Sequence, residues 1–546
     1  SLFTDYIRQT GHDKYWENLS NGFETENWEG KTNRKDTRDI NRLAFSLDYK
    51  ISEKASIGTK YIGLLDNPDT KDRNNTTVRD NASNAVTSIF LTNGSNKNDS
   101  SNHTLNVYYI QQLDTLGKKI AVDFDYFKYI DDQNRTFNTS EFSPENVQIG
   151  QSFIANNTSL QDILNYSGKI DVELPSKWAT YGFGGKLSFV ENKSNIAFFN
   201  LSSGTPVLDI NQTNDFDYAE NTQSVYANFK KSLGKKWQTQ IGLRYENTIV
   251  EGTTTSLDVT QNQTNNFSYD QIFPTIYLTY THNENHNFSV NYSKRIGRPI
   301  FWHLNPFKVY INSFTFAEGN PFLQPSFTDN YEINYNLKEN LSFKIYYSNT
   351  IDGSTQLPIV QTNGDETILR YFRDNYVDRS QFGGTISYYF DKFSWWESSN
   401  TINGYNNVTT FIKDVPTEAR NGFQYHFFTY NSFTLNKSKS LKAEVNFEFH
   451  SARREFYYSA TQYNKLDLGL RYSIKEKGLN FVILASDIFR SYQADFTSVV
   501  NNVSQLNNNY YDERKILVGV TYKFGNKKLT ANQRESGNEE VQERLK

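Results

Sequence analysis

The 546-residue chain contains no cysteine and no methionine. Without cysteine it has no disulfides, no thiolate metal site and no lipid attached through a cysteine side chain. Without methionine it lacks even an initiator residue. It begins at Ser1 with neither the charged region nor the apolar region of a signal peptide. We therefore expect the sequence to be a processed or trimmed piece of a longer precursor.

Long apolar runs are also missing. No stretch of about 18 apolar residues occurs, so we expect no transmembrane helix. The mean hydropathy is -0.71, which is too polar for a helical membrane protein. It does not exclude a membrane β-barrel, because one face of each barrel strand lines the lumen and is polar. The net charge of -4 gives no reason to expect nucleic-acid binding.

The chain does contain long segments in which apolar and polar residues alternate. Trp237, Ile241 and Tyr245 share one face of such a segment, and Gln240 and Glu246 lie on the other. Segments of about 9–11 residues with this pattern are typical of membrane-spanning β-strands. Aromatic residues make up 16% of the chain and are spread from end to end, as expected for one continuous barrel with aromatic girdles.

Tight turns and long polar connections alternate along the sequence. About nine hairpins and the remaining single strands give roughly 19–22 strands. Bacterial barrels made from one chain have even numbers of strands, so 20 or 22 is favoured. The polar connections are rich in Asn, Asp, Ser and Thr, and we expect long outer loops at 64–80, 130–160, 191–220, 250–267, 297–325, 403–423 and 490–512. A soluble β-protein is the alternative, but its strands are shorter, typically about 5–6 residues.

We therefore predict an all-β fold: a large transmembrane antiparallel β-barrel of about 20–22 strands over residues 1–525, with or without its first strand or two. Short turns face the periplasm and long loops face the outside. Residues 526–546 lack alternation and are predicted to form a charged periplasmic tail. A barrel this wide cannot be filled by its own wall side chains, so its lumen is open or holds a plug. The chain contains no recognisable plug domain.

One stretch carries a more specific signature, which consists of Arg295, Arg298, Pro299, Leu304, Asn305, Pro306, Phe307, Gly319, Asn320, Pro321, Leu323 and Pro325. This stretch and the C-terminal strand resemble the TonB-dependent-receptor-like outer-membrane β-barrel family of Bacteroidota. The likeness is strongest over about 285–350 and 478–546. Ser326 departs from the family pattern, in which an acidic residue follows the last proline. The N-terminal β-sandwich and plug of family members are absent from the sequence.

The resemblance implies a location in the bacterial outer membrane, surrounded by lipid and lipopolysaccharide, and uptake of a scarce solute such as a siderophore or a glycan. It also implies a plug supplied by N-terminal sequence not present here and a TonB-type energy-coupling protein as partner. The main alternative is a structural barrel within a larger secretion or insertion assembly, with other outer-membrane subunits or lipoproteins as partners. A passive porin is the third function that the sequence allows.

The signature residues also have simpler explanations. Prolines cannot sit inside a central strand ladder, so they mark places where strands leave the sheet and shape a long loop. That explanation is favoured over direct contact with a ligand. Arg295 and Arg298 are expected to face the lumen, where a structural ion pair is favoured over contact with an anionic solute or a plug.

The C-terminal strand ends on an aromatic residue, with Val518, Val520, Tyr522 and Phe524 on one face. The resemblance implies that this strand is the assembly signal read by the outer-membrane insertion machinery. We expect no catalytic residues, because no nucleophile–base pair or phosphate-binding loop is recognisable. We expect no cofactor and no metal. His282 and His286 lie in a tight turn, without the helical spacing of a zinc motif.

Overall fold

The computed structural model describes residues 2–306, 308–312, 314–363, 366–523 and 537–545. Most of these residues lie in strands, and all 28 strands join a single sheet. The twofold alternation of apolar and polar side chains suits a sheet with two different environments on its faces. No helix among the described residues is long and apolar enough to span a membrane.

The first half of the chain forms twelve strands and one 3-10 turn, the latter at Val259–Gln261. The strands are β1 (Leu2–Gly22), β2 (Glu26–Lys50), β3 (Ala55–Asp66), β4 (Asp69–Asp80), β5 (Val86–Gln112), β6 (Lys119–Phe142), β7 (Gln148–Pro175), β8 (Thr180–Asn200), β9 (Val207–Leu208), β10 (Asn214–Leu233), β11 (Trp237–Ser256) and β12 (Gln263–Asn283).

The second half forms sixteen strands and two short helices, α1 (Phe301–Leu304) and α2 (Glu539–Glu543). The strands are β13 (His286–Gly297), β14 (Lys308–Asn312), β15 (Thr315–Glu318), β16 (Ser326–Leu337), β17 (Leu341–Asn363), β18 (Glu366–Phe393), β19 (Trp396–Phe411), β20 (Gly422–Thr434), β21 (Leu441–His450), β22 (Arg453–Glu455), β23 (Tyr458–Ala460), β24 (Tyr463–Ile474), β25 (Leu479–Ala485), β26 (Asp495–Val500), β27 (Val503–Tyr510) and β28 (Ile516–Tyr522).

The barrel wall contains twenty strand runs in the described part of the chain, at the lower end of the predicted range. β3 and β4 count as one run interrupted at 67–68, because both pair with β2. Runs that follow one another along the wall pair antiparallel, as predicted. The runs are β1, β2, β3 with β4, β5, β6, β7, β8, β10, β11, β12, β13, β16, β17, β18, β19, β20, β21, β24, β25 and β28.

The burial pattern is inverted relative to that of a water-soluble protein. On β11, Leu243 is 52% exposed and Tyr245 is 43% exposed, whereas the intervening inner face carries Glu246 and Thr248 at 8% and 0%. Exposed apolar side chains and buried polar ones recur in other strands of the wall. Such a wall is stable only where its outer face contacts lipid and its inner face encloses polar groups. This confirms the predicted transmembrane barrel.

Several predicted loops are in fact strands. Residues 64–80 lie almost entirely in β3 and β4, and much of 130–160 and 191–220 lies in β6, β7, β8 and β10. These strands reach 28 residues in β7, far more than the 9–11 expected for a membrane crossing. Where a strand extends beyond the membrane its outer face meets water, so apolar alternation disappears and the sequence looks like a loop.

The two ends of the chain meet only along part of their length. Trp16–Gly22 of β1 pairs with Ser504–Tyr510 of β27. Among the described residues, the first half of β1 forms no ladder with β28, which pairs with β25 alone. The wall is therefore joined at the end that carries the long connections and unjoined at the end that carries the short turns.

Candidate functional site

The connection between β13 and β16 folds into the barrel interior. We call residues 298–325 the lumen loop; its described part contains α1, β14 and β15. Phe301, Leu304 and Leu323 of this loop are almost completely buried. They pack in one apolar cluster with inner-face residues of five wall strands, which are Phe127, Ile163, Val190, Phe216, Tyr218 and Val250. The predicted outer loop is therefore an inward-folded one.

The lumen loop crosses the barrel from one wall to another. Tyr310 packs beside Phe198 of β8, with ring centroids 5.5 Å apart. Phe314 contacts Trp28 of β2 at 4.7 Å between centroids, and its carbonyl accepts a hydrogen bond of 2.9 Å from the backbone N–H of Leu369 on β18. Trp28 and Leu369 belong to one buried cluster, against which Phe314 packs. The loop therefore runs from β8 to the place where β2 and β18 pack together, and we call it the crossbar.

A short parallel ladder ties the crossbar to the wall. Residues Thr315–Glu318 of β15 pair with Leu369–Phe372 of β18. The side chains of Arg370 and Glu318 form a two-bond ion pair at 2.9 and 3.1 Å. A bidentate guanidinium–carboxylate pair fixes orientation as well as distance. Apolar packing and an ion pair therefore both hold the loop against the wall.

The signature residues explain why the loop can turn back on itself. A Cβ at Gly319 would lie 2.1 Å from the carbonyl oxygen of Asn305, so only glycine fits there. The next residue, Asn320, is buried; its N–H donates to the carbonyl of His303 at 2.6 Å, and its side chain accepts from the N–H of Phe322 at 2.9 Å. Gly319 and Asn320 therefore lock α1 against the returning segment.

The remaining signature residues anchor the loop at its edges. The Asn305 side chain donates to Ser194 of β8 at 2.9 Å, and the half-buried Pro306 follows it. The carbonyl of the buried Pro321 accepts from Asn265. The buried Pro325 closes the loop. Phe307 lies outside the described residues. Loop shaping, the favoured explanation of these prolines, agrees with this geometry, and contact with a ligand stays a prediction.

Arg298 lies at the centre of a buried charge cluster. Its side chain is 3% exposed and approaches three carboxylates, at 3.4 Å from Glu220, 3.1 Å from Glu246 and 2.5 Å from Glu540. It also donates to the Tyr269 hydroxyl at 3.0 Å. A buried guanidinium requires such partners. The structure therefore places Arg298 in a network of ion pairs inside the barrel, and contact of this residue with a solute or a plug stays a prediction.

Arg295 differs from Arg298 although only two residues separate them. It is exposed, and in the described part of the chain it forms no ion pair. It lies on β13 opposite Thr328, before the chain turns into the lumen. The two arginines of the signature therefore have separate roles, and only Arg298 joins the loop to the wall.

The described part of the C-terminal tail lies in the lumen. Residues 537–545, which we call the C-terminal segment, contain α2. The Arg544 side chain is 4% exposed and lies 3.0 Å from the Glu220 carboxylate; it donates to the Pro299 carbonyl at 2.9 Å. Val541 joins the apolar cluster of the lumen loop. The sequence predicts that this segment lies in the periplasm. The structure instead places it inside the barrel, because its apolar and arginine side chains have partners there.

The electrostatics favour an ionised Glu540. Burial raises the pKa of its carboxyl, but the charges of Arg298 and Arg544 outweigh that effect, and the pKa lies below its usual range. A carboxyl with a lowered pKa contributes stability above its unfolded pKa of about 4.5, which is lost as the pH falls through the lower folded value. The C-terminal segment is therefore held most firmly near neutral pH.

Sequence reasoning missed most partners of Arg298. The strand alternation does place Glu246 on the polar inner face of β11, and the same parity applies to Glu220 on β10. Nothing local indicates Glu540 or Arg544, because their contacts with the wall join residues more than 200 positions apart. The described residues contain no group of histidines and carboxylates arranged to hold a metal ion.

The C-terminal strand is strongly exposed. Val518, Val520 and Tyr522 of β28 are 71%, 63% and 61% exposed and share one face, as the alternation predicts. Phe524 lies outside the described residues. Their role as an assembly signal stays a prediction.

Comparison with known proteins agrees with the geometry. The model of the outer membrane protein beta-barrel family matches residues 111–522. The fold is similar to the siderophore receptor PiuA from Acinetobacter baumannii, with a TM-score of 0.52 and 11% identity over 91% of this chain and 81% of that one. It is also similar to the closed form of the ferric-catecholate import receptor Fiu from K12 E. coli, with a TM-score of 0.51 and 10% identity over 91% and 82%. No curated protein matches the sequence.

Proposed function

The chain belongs to the outer membrane protein beta-barrel family, and we propose that it is a TonB-dependent-receptor-like barrel that takes up a scarce solute across the bacterial outer membrane. The outer-membrane location follows from the family and from the lipid-facing apolar wall. The resemblance of the signature residues, and the fold shared with a siderophore receptor and a ferric-catecholate import receptor, support the receptor assignment.

The observation that carries the proposal is the crossbar formed by the lumen loop. A passive channel needs a lumen that stays open, whereas a receptor must hold its lumen closed until a solute is captured. Here the loop packs an apolar cluster against five strands and adds an ion pair to β18. Such a loop blocks part of the lumen at rest. The packing, hydrogen bonds and ion pair that hold it are all non-covalent, so a captured solute can displace it.

We propose that the solute is a metal chelate of the siderophore type or a glycan fragment. The two similar receptors are described as siderophore and ferric-catecholate receptors. A TonB-type protein would supply energy from the inner membrane, and a plug domain would complete the passage.

The test is uptake by cells that carry or lack the protein. We expect radioactive iron bound to a catecholate or hydroxamate chelator, or a labelled oligosaccharide, to accumulate faster in cells that carry it. We expect this gain to disappear when the inner-membrane energy coupling is removed. Stable purification with other outer-membrane subunits, without any gain in uptake, would instead support a structural barrel and contradict the proposal.

A further inference from the structure

Three aromatic side chains lie in a row on one face of β20. They are His426, Phe428 and Tyr430, and we call them the aromatic stripe. Residues two apart share a face of a strand, and neighbouring members of the stripe are about 7 Å apart along it. β20 begins after the long connection 412–421 and ends at the short turn 435–440. The stripe therefore follows the wall from the outer side of the barrel towards the periplasmic side.

Cross-strand pairing shows that the stripe faces the lumen. Phe427 pairs with Ile402 of β19, which is 41% exposed on the lipid face. Phe428 points the opposite way, towards the face on which Gln424 and Ser432 of the same strand are buried. Phe428 itself is 40% exposed. A ring with free apolar surface is ordinary against lipid, but a row of rings on a polar lumen face indicates an interaction site.

Polar side chains lie on both sides of every ring. The cross-strand partners of His426, Phe428 and Tyr430 are Asn403, Thr401 and Ser399 on β19, and His450, Glu448 and Asn446 on β21. Asn403 and Thr401 also line, with His426 and Tyr346, a cavity of about 450 Å³. This volume lies within the range of small-molecule sites. Neither the lumen loop nor the C-terminal segment contributes to the lining.

The basic side chains around the stripe are already paired. The strands β19, β20, β21 and β24 carry three lysine or arginine residues. They are Lys442, Arg471 and Lys465, which lie 3.4 Å from Glu397, 2.9 Å from Glu444 and 3.2 Å from Glu513. An anionic chelate would have to break one of these pairs to gain a cationic partner from these strands, and breaking a partly buried pair is costly. This part of the wall therefore favours an uncharged solute.

A sugar ring matches this arrangement of side chains. The face of a sugar ring carries C–H groups, which the negative face of an aromatic ring attracts. Its edge carries hydroxyl groups, which exchange hydrogen bonds with amides, hydroxyls and carboxylates. The stripe supplies three successive stacking surfaces, and β19 and β21 supply the hydrogen-bonding groups beside each of them.

We propose that the aromatic stripe binds an uncharged oligosaccharide, with successive sugar rings stacked along β20. The role of this binding in the cell rests on the proposed uptake function, and it selects a glycan over an anionic metal chelate as the solute. Because binding can be measured on the purified barrel without uptake, the two proposals can fail separately.

The experiment uses the full chain, purified in a detergent without sugar head groups, and measures saturation transfer by NMR to maltohexaose, cellohexaose and mannohexaose. We expect transfer to the C–H protons of at least one of them, with an affinity that salt does not change, because the ligand is uncharged. Phe428→Leu keeps an apolar side chain but removes the ring, and it should weaken binding about two- to tenfold, as expected for one aromatic contact. Phe428→Trp should bind at least as tightly as the wild type. Phe427→Leu, the same change one residue away on the lipid face, is the matched control and should bind as the wild type does.

Heat-modifiable migration on gels shows that each variant is folded. Transfer to none of the three oligosaccharides, or equal transfer in Phe428→Leu and the wild type, would overturn the proposal. Accumulation of an iron chelate through a barrel that binds no sugar would support the uptake function and overturn the sugar site. Sugar binding by the purified barrel without any gain in uptake would support the sugar site and count against the uptake function.

Discussion

Replacing Arg544 with alanine should release the C-terminal segment from the lumen. The side chain is 4% exposed, lies 3.0 Å from the equally buried Glu220 and donates to the carbonyl of Pro299. Its guanidinium also lies 4.2 Å from the Phe301 ring. Each of these contacts joins the segment to the wall or to the lumen loop, so their loss weakens docking and not the helix itself.

The expected cost follows from the burial of the pair. Removing one partner of a buried ion pair costs about 3–5 kcal/mol. Glu220 keeps Arg298 at 3.4 Å after the substitution, so the lower end of that range applies. A loss of about 3 kcal/mol reduces the equilibrium constant for docking by about 150-fold.

Hydrogen exchange of the segment measures this equilibrium directly. The N–H groups of Gln542 and Arg544 donate within α2, and a helix of five residues does not persist once undocked. In detergent at neutral pH, we expect these amides to exchange about 100-fold faster in Arg544→Ala. Glu543→Ala, an exposed change in the same helix, is the control and should leave exchange unchanged. Equal protection in Arg544→Ala and the wild type would refute the assignment of these contacts as the anchor.

Three further predictions concern the loop and the wall. Gly319→Ala should displace the lumen loop and make it sensitive to protease, because its Cβ meets the carbonyl of Asn305; Gly168→Ala, which has open space, should not. Burial and the charge of Arg373 lower the pKa of His303 to about 4, so the loop should keep full stability above about pH 6.5 and lose it as the pH falls towards 4, seen as rising protease sensitivity. Val520→Asp should lower the amount of heat-modifiable folded barrel in the outer membrane, since a charge on the lipid face is costly. Phe524→Asp should lower it too, because it removes the terminal aromatic that the resemblance implies is the assembly signal; normal amounts in both variants would contradict a role for this strand in assembly.

The barrel itself is predictable from sequence because its signal is local. On β11, Ile241, Leu243 and Tyr245 alternate with polar residues, and the structure places them on the lipid face. The same rule fails for residues 64–80, where the outer face meets water and the buried inner face is mostly polar, as at Asp72 and Asn74, so no apolar period remains. Periodicity therefore reports the membrane-facing part of each strand and not the end of the strand.

The position of the lumen loop is not predictable in this way. The turn signals at Asn305 and Asn320 identify a loop correctly, but the direction of a loop depends on partners that are remote in sequence. Leu304 packs against residues of β6 to β11, and Arg298 meets Glu540 across 242 positions. Only the folded barrel brings these residues together, so single-sequence reasoning places the loop outside.

The central claim is that the lumen of this outer-membrane barrel is obstructed at rest by the lumen loop. Conductance of the purified full chain in planar lipid bilayers tests it most directly. The account predicts no large, stable open pore from the wild type, and larger openings when Gly319→Ala displaces the crossbar. A large and permanently open pore from the wild-type protein would contradict the account and would favour a passive porin.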